Sequence, residues 1–170
     1  MIELRKATAA DALLLAKTRQ IVWEETYRGI YPDVMLDAYD VDFFANRDRQ
    51  RLENPLHHFY LYMEEEACVG YFSFGPYNFG TYKDFDMCMN NLYIRRDYQG
   101  RGLVKKAFDS LRAHCAEQGI SKFFCGCNAH NSPAIRFYQH MGGIQGDFPE
   151  PHENKADDII HFEFHIGEKI

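Results

Sequence analysis

The chain has 170 residues, 46% of them apolar and 26% charged, which suits a globular domain with one hydrophobic core. Acidic residues outnumber lysines and arginines by 25 to 19, a net charge of −6, whereas nucleic-acid-binding proteins normally carry a basic surplus. No apolar run approaches the length of a membrane span, and the charged N-terminus is unlike a secretory signal. We therefore predict a single domain over residues 1–170, with no nucleic-acid or membrane partner.

The first part of the chain predicts one strand and three helical segments. A strand at Ile2–Leu4 precedes a helix that Thr8 caps and that runs to Trp23. Further helical segments follow at 33–39 and 43–52. The side chains expected on the buried face of the first helix are Leu13, Leu14, Ala16, Thr18, Ile21 and Val22.

The rest of the chain predicts strands with two helices between them. A long loop from Tyr77 to Asp84, rich in Gly, Tyr and Asn, is expected to be functional because minimal turns are shorter. In chain order, the elements are strands at 58–63, 68–74 and 87–94, a helix at 104–115 that ends before Gly119, a strand at 122–127, a helix at 132–141 and a strand at 159–166. This order indicates a mixed α/β domain without repeats or linkers.

The five cysteines are scattered and odd in number, which does not indicate a disulfide framework. We therefore predict a reduced, cytoplasmic protein. Cys125, Cys127 and His130 have a superficial likeness to a metal site, but the C-x-C spacing is shorter than that of paired zinc ligands. We predict no metal, and we expect both thiols to pack on one face of a strand.

The strongest local signal is the turn between the third long strand and the helix that follows it. Glycines at 100 and 102 allow positive φ angles and a close approach of the backbone to a ligand. The first amides of a helix lack intrahelical partners and carry partial positive charge, so the turn predicts an anion site. The basic residues around it are Arg95, Arg96, Arg101, Lys105 and Lys106. Neither the P-loop nor the Rossmann pattern fits, which leaves a turn with incidental glycines as the alternative.

At this point the sequence resembles the GNAT superfamily of acetyl-coenzyme A-dependent N-acetyltransferases. The stretch Gln99 to Val104 follows the family pattern Q/R-x-x-G-x-G/A except at its last position. The stretch Asn131 to Gly142 resembles the family's N-x-x-A-x-x-F/L-Y-x-x-x-G helix. The resemblance implies the GNAT fold, an α/β domain of the α+β type. Its sheet would be mixed and mostly antiparallel, with about six to seven strands flanked by helices.

The resemblance also implies where acetyl-coenzyme A, the acetyl donor, binds. The strand before the turn would pair with the pantetheine arm, the turn amides would hold the pyrophosphate, and Tyr138 would lie beside the thioester sulfur. The residues that it assigns to cofactor binding are Leu92, Tyr93, Ile94, Gln99, Gly100, Arg101, Gly102, Leu103, Val104, Lys105, Asn131, Ala134 and Tyr138. A phenol can donate a proton to the leaving thiolate, so Tyr138 is the predicted general acid.

Transfer to an amine also needs a base, because only about one lysine-like amine in a few thousand is neutral near pH 7. Many relatives carry a Glu on the strand before Leu92, but this chain has Met89, Asn90 and Asn91 there. We name Glu24 and Glu25 as candidate catalytic bases. The alternatives are Asp84, Asp86, His130, or a water held by Asn90 or Asn91.

Two further departures from the family pattern concern packing. Val104 replaces a small residue, and we expect its branched side chain to point away and to weaken cofactor binding. Gly143 replaces an apolar residue, which should reduce packing without affecting chemistry. The segment from Trp23 to Pro32 borders the acceptor site in the family and is aromatic and acidic, so it could line an amine pocket.

The predicted function is therefore N-acetylation of a primary amine of a small molecule or peptide by direct transfer. The alternative is a non-catalytic acyl-coenzyme A-binding sensor with the same fold. A homodimer remains open, because the final strand and exposed aromatics could support one.

Overall fold

The strands of the chain form one mixed sheet, with helices packed on both of its faces. A computed structural model describes residues 1–76 and 87–167, and the elements named here belong to those ranges. The strands are β1 (Ile2–Lys6), β2 (His58–Glu64), β3 (Ala67–Gly75), β4 (Cys88–Ile94), β5 (Lys122–Asn128), β6 (Ile144–Gln145) and β7 (Ile159–His165). The α-helices are α1 (Ala12–Tyr27), α2 (Asp33–Asp37), α3 (Val41–Glu53), α4 (Leu103–Glu117) and α5 (Ser132–His140).

The sheet has seven strands in the order β1-β2-β3-β4-β5-β7-β6. All neighbouring strands are antiparallel except β4 and β5, which run parallel with α4 as their crossover. The predicted fold class, a mixed and mostly antiparallel sheet flanked by helices, is confirmed. The two-residue strand β6 was not predicted, because a strand so short leaves no periodic signal.

Alternation along the strands builds a separate apolar core on each face of the sheet. On one face, Phe72, Phe162 and Phe164 pack with residues of α4 and α5, and we call this the α4–α5 face. On the other, Leu61 and Tyr71 pack with residues of α1, and we call this the α1 face. Because successive side chains of a strand point to opposite faces, one strand supplies both cores.

The sheet splits between β4 and β5. The two strands pair only at Cys88 with Phe124 and at Met89 with Cys125 within the described residues, and beyond Met89 they diverge. On its other side β4 stays paired with β3 as far as Ile94. The result is an opening in the middle of the sheet, bordered by the last residues of β4 and β5.

The start of α1 differs in detail from the prediction. Thr8 caps a short 3₁₀ turn at Ala9–Asp11, where its amide and hydroxyl donate to the Asp11 carboxylate, and α1 begins after that turn. Two residues expected on the buried face, Leu13 and Ile21, are 44% and 41% exposed. The buried face instead follows the positions Ala12, Leu15, Ala16, Thr18, Arg19 and Val22.

A charged pair lies inside the interface between α1 and α3. Arg19 is 1% exposed and Asp48 is fully buried, and the guanidinium donates to both carboxylate oxygens. The Arg19 Nε atom also donates to the Tyr71 hydroxyl at 3.1 Å. Because the pair satisfies its charges internally, α1 can bury an arginine on its packed face.

A histidine in the contact between β2 and α4 lets us predict how the stability of the fold depends on pH. The ring of His58 stacks on Phe74 and lies 4.4 Å from the ring of His114, centre to centre. Burial, and then the charges of His114, Lys6 and His57, lower the pKa of His58 below 6.5. The unfolded chain therefore takes up this proton more readily than the folded one, and the contribution of His58 is fully present only above the unfolded pKa.

We expect the free energy of unfolding to fall as the pH drops below about 6.5, the ordinary pKa of histidine. The variant His58→Phe keeps the ring and removes the proton site, so its stability should depend less steeply on pH. Urea unfolding of both proteins between about pH 5 and 8 measures the two slopes. Equal slopes would contradict the assignment to His58.

Two predicted features remain outside the structural description. The loop from Tyr77 to Asp84 and the carboxylates of Asp84 and Asp86 lie beyond the described residues. Among the residues that are described, no helix has the length and apolar character of a membrane span. Nor do these residues contain a cluster of three or more histidine, cysteine or acidic side chains suited to a metal ion.

Candidate active site

The split in the sheet opens into a cleft of about 590 Å³. Its walls are β4, the end of β5, the start of α4 and the inner side of α5, with the end of α1 at its rim. The sequence-predicted site residues that line it are Leu92, Tyr93, Ile94, Gln99, Gly100, Gly102, Leu103, Val104, Lys105, Asn131, Ala134, Tyr138 and Glu25. Arg101 and Glu24 are not among its lining residues.

The turn at the start of α4 has the backbone geometry of an anion site. Gly100 and Gly102 have φ angles of 73° and 74°, in the left-handed region that favours glycine. Gly102 is the N-cap of α4, so the helix presents its first free amides to the cleft. The glycines and the helix terminus together form a concave run of N–H donors with partial positive charge.

Side-chain hydrogen bonds between the turn and the neighbouring strands hold this turn in place. The Tyr62 hydroxyl donates to the Leu103 carbonyl at 2.6 Å, and the Tyr98 hydroxyl donates to Glu64 at 2.8 Å. The Gln99 side-chain amide donates to the Ile94 carbonyl at 3.0 Å. These bonds hold the turn in one conformation, and a site that is held in this way lowers the entropy cost of binding.

The charged side chains around the turn have separate contacts. The Arg101 guanidinium lies over the ring of Tyr98 and donates to the Asp97 carbonyl at 2.9 Å, on the outside of the turn. Lys105 lines the cleft and pairs with Asp109 at 2.7 Å. Val104 also lines the cleft, and its side chain packs against the core of the α4–α5 face.

Helix α5 carries the second predicted motif. The Asn131 side chain caps the helix by accepting the Ala134 amide at 3.3 Å. Tyr138 is 7% exposed and packs between Phe108 and Phe162, and it lines the cleft. Burial raises the pKa of Tyr138 well above its ordinary value, so the phenol keeps its proton at neutral pH.

The end of α5 explains Gly143. A Cβ atom at this position would lie 2.7 Å from Phe164 Cζ and 2.9 Å from the Tyr138 carbonyl oxygen. The Gly143 amide also donates to that carbonyl at 3.0 Å. We expected glycine here to weaken packing, but it is what lets β7 pack closely against the helix turn that carries Tyr138.

The sequence matches the family model of the acetyltransferase (GNAT) family over residues 16–143. The chain belongs to this family. It is thus an acyltransferase by family, and the cleft combines the two stretches on which the sequence resemblance rested.

Solved structures share this GNAT fold at low sequence identity. An acetyltransferase from Thermus thermophilus is 22% identical with a TM-score of 0.73, over 98% of this chain and 97% of that chain. PaiA N-acetyltransferase from Thermoplasma acidophilum, solved with coenzyme A, is 18% identical with a TM-score of 0.72, over 96% of this chain and 99% of that chain. YncA from Salmonella typhimurium, solved with acetyl-CoA, is 19% identical with a TM-score of 0.68, over 99% of this chain and 95% of that chain. No curated protein sequence matches this chain.

The candidate bases of this GNAT protein lie in different surroundings. Glu24 pairs with Arg28 at 2.6 Å, which lowers the pKa of the carboxyl, and it faces a neighbouring hollow rather than the cleft. Glu25 lines the cleft, and its carboxylate accepts the Arg96 amide at 2.8 Å. His130 lies outside the cleft lining and pairs with the buried Asp158 at 2.6 Å. Of these carboxylates, only Glu25 reaches the cleft.

Two features of the cleft were not predicted. The hydroxyls of Tyr27 and Tyr93 lie 2.8 Å apart on the α1 face, opposite Tyr138. Tyr31 stacks on the ring of Tyr27 at 4.1 Å. The Cys127 thiol also lines the cleft, and burial raises its pKa to about 12. The aromatic segment from Trp23 to Pro32 was the only sequence signal for the tyrosine pair.

Proposed function

We propose that this protein transfers an acetyl group from acetyl-coenzyme A to a primary amine. The observation that carries the proposal is the cleft through the split sheet. The anion-binding turn and Tyr138 lie toward its α4–α5 face, whereas the hydroxyls of Tyr27 and Tyr93 lie toward its α1 face. A donor and an acceptor can therefore approach one point from opposite faces, as direct transfer requires.

The donor side fits the chemistry of coenzyme A. The turn offers free amides and a helix terminus to a pyrophosphate, and the side of β4 that faces the opening offers backbone groups to an amide-bearing arm. PaiA N-acetyltransferase and YncA, which share the fold, were solved with coenzyme A and acetyl-CoA. Asn131 and Ala134, at the start of α5, would border the arm.

When bound, acetyl-coenzyme A supplies an acetyl thioester. The C–S bond of the thioester breaks as the N–C bond forms. The amine loses one proton, and the leaving thiolate gains one. The Tyr138 hydroxyl lines the cleft and is protonated at neutral pH, so it can donate a hydrogen bond, and then the proton, to the sulfur as the C–S bond breaks. On the acceptor side, the Tyr27 and Tyr93 oxygens have lone pairs for an ammonium N–H. Glu25, at the rim, is the candidate base, and a water relay past Asn91 is the alternative.

Thiol release tests this function. The protein is incubated with acetyl-coenzyme A and a panel of primary amines, from small alkylamines to peptide N-termini, and free thiol is measured with a chromogenic disulfide. We expect at least one amine to raise the rate well above hydrolysis. Saturable donor binding in calorimetry, with no amine acetylated, would support the sensor alternative instead.

The glycine turn at the start of α4 gives a second, sharper prediction. Alanine at position 102 would have to adopt a φ near 74°, which costs roughly 1–2 kcal/mol for a residue with a Cβ atom. Relief of that strain moves the first amides of α4, so we expect Gly102→Ala to raise the Kd for coenzyme A about tenfold.

Gly119 provides the matched control. It has a φ of 69° at the other end of the same helix, it also has open space around its Cβ position, and it lies outside the cleft lining. Gly119→Ala should lose similar stability and keep the wild-type Kd. Equal Kd values for both variants would exclude the turn as the pyrophosphate site.

The finer assignments stay proposals. The tyrosine pair and the carboxylate of Glu25 at the rim support a small-molecule or peptide amine as the acceptor. The cytoplasmic location, the absence of nucleic-acid and membrane partners and the homodimer remain predictions from the sequence.

A further inference from the structure

Met89 lies at the point where the sheet splits. It pairs with Cys125, and within the described residues this is the last pair between β4 and β5 before the two strands diverge. One pair earlier, Cys88 and Phe124 still hold the strands together. The cleft therefore narrows to a closed end at Met89 and Cys125, and we call this end the apex.

The side chain of Met89 forms part of the cleft wall although it is only 3% exposed. It packs in the core of the α4–α5 face together with Cys125, which is 1% exposed. A side chain that is buried in a core and still lines a cleft covers the floor of that cleft rather than its rim. The thioether of Met89 therefore separates the apex from the core behind it.

In the proposed function, the reacting end of the donor lies next to the apex. Tyr138, which would face the leaving sulfur, packs against Phe162 with 5.3 Å between the ring centroids, and Phe162 pairs with Cys125. Burial, and then the nearby thiols of Cys125 and Cys127, raise the pKa of Tyr138, which places its hydroxyl beside these two thiols. An acyl group on that sulfur would therefore begin at the apex.

The room at the apex limits the length of the acyl chain. Protein cores are close-packed, so a chain that reaches past the floor must push Met89 into residues that are already in contact. Toward the α1 face, a longer chain would occupy the place of the acceptor amine. Because methionine is unbranched and can adjust its shape, we expect discrimination of about tenfold rather than complete exclusion.

We propose that Met89 determines which acyl groups this protein accepts, because its side chain closes the apex and leaves room for an acetyl group but not for a butyryl group. This role rests on the proposed function, and it makes the donors short-chain acyl thioesters of coenzyme A. Met89 takes no part in the transfer of a proton or of the acyl group. It acts only through the volume that it fills.

Binding of two unreactive analogues tests this role without an acceptor. S-ethyl-coenzyme A and S-butyl-coenzyme A carry chains as long as the acetyl and butyryl groups, and calorimetry gives a Kd for each. We expect the wild-type protein to bind the ethyl analogue about tenfold more tightly. Met89→Ala removes Cγ, Sδ and Cε from the floor, so it should bind the butyl analogue at least as tightly as the ethyl analogue. Its Kd for coenzyme A should stay within about twofold of the wild-type value.

Met87 provides the matched control. It is 4% exposed and packs in the same core, but it does not line the cleft. Met87→Ala should lose a similar amount of stability and keep the wild-type preference for the ethyl analogue. Met89→Val retains part of the side chain and suits a strand, so its preference should lie between those of the wild-type protein and the alanine variant.

The outcomes separate this inference from the function on which it rests. Equal Kd values for the two analogues in the wild-type protein overturn the role of Met89 and leave the function standing. The wild-type preference in Met89→Ala, or in Met89→Val if the alanine variant does not fold, also overturns it. So does an equal loss of preference in Met87→Ala, which would attribute the effect to a loosened core. No binding of coenzyme A to the wild-type protein overturns the proposed function itself.

Discussion

Replacement of Tyr138 by phenylalanine should lower kcat about 100-fold or more, which is the range for loss of a positioned general acid. The ring would keep its packing between Phe108 and Phe162, so the cleft should retain its shape. Because the hydroxyl in its proposed role acts on the leaving sulfur rather than on the bound ground state, the Kd for the donor should change little. Steady-state kinetics with a saturating amine, together with calorimetry of coenzyme A, measures both quantities.

Tyr60 provides the control for this substitution. It lies on β2, stacks on Phe72 and Phe74, and is not part of the cleft lining. Tyr60→Phe should therefore leave kcat within a factor of about two. If Tyr138→Phe retained wild-type kcat, another group would have to supply the proton to the sulfur.

Loss of the Asp48 carboxylate should produce the largest change in stability. The variant Asp48→Asn leaves the Arg19 charge buried without its counter-ion, and breaking a buried pair in this way costs about 3–5 kcal/mol. For a domain of this size that corresponds to a decrease in Tm on the order of 10 °C. Urea unfolding at fixed pH and calorimetric melting measure the two values.

Two comparisons separate the buried charge from a general effect of substitution. Asp42 lies on the first turn of the same helix and is exposed, so Asp42→Asn should cost no more than about 1 kcal/mol. The double variant Arg19→Met with Asp48→Leu removes both charges and should recover most of the lost stability. A double variant no more stable than Asp48→Asn would show that packing, and not the unpaired charge, causes the loss.

The parts of the site that could be predicted from the sequence are those with a local signal. Glycines at 100 and 102 lie between a strand and an amphipathic helix, so the turn, and the anion site that we propose there, follow from neighbouring residues. Gly119 marked the end of α4 in the same way, and its φ of 69° agrees. Tyr138 was identified through the pattern around it, since a buried aromatic on a helix carries no functional signal alone.

The features that could not be predicted depend on distant residues. Arg19 meets Asp48 across 29 positions of sequence, and Tyr27 meets Tyr93 across 66. An arginine on a helix is expected to be exposed unless a buried partner for its charge can be identified. Such pairings are set by how the elements pack, and periodicity along one element does not contain that information.

The adjacent carboxylates of α1 show a related limit. Glu24 and Glu25 were equal candidates from the sequence, but neighbouring residues of a helix point in directions about 100° apart. Glu24 therefore meets Arg28 one turn along the helix, whereas Glu25 meets the Arg96 amide at the cleft. Similarly, position 143 requires glycine because Phe164, which lies on β7, leaves no room there for a Cβ atom.

The split between β4 and β5 leaves each of these strands with an unpaired inner edge inside the molecule. The outer edge strands are β1 and β6, and exposed edges invite pairing with other extended chains. The inner edge of β4 opens into the cleft, and in the proposed function an amide-bearing arm would lie along it as a further, non-peptide strand. Binding would then complete the sheet as well as deliver the substrate, and backbone amides on that side of β4 should exchange with solvent far more slowly in the complex.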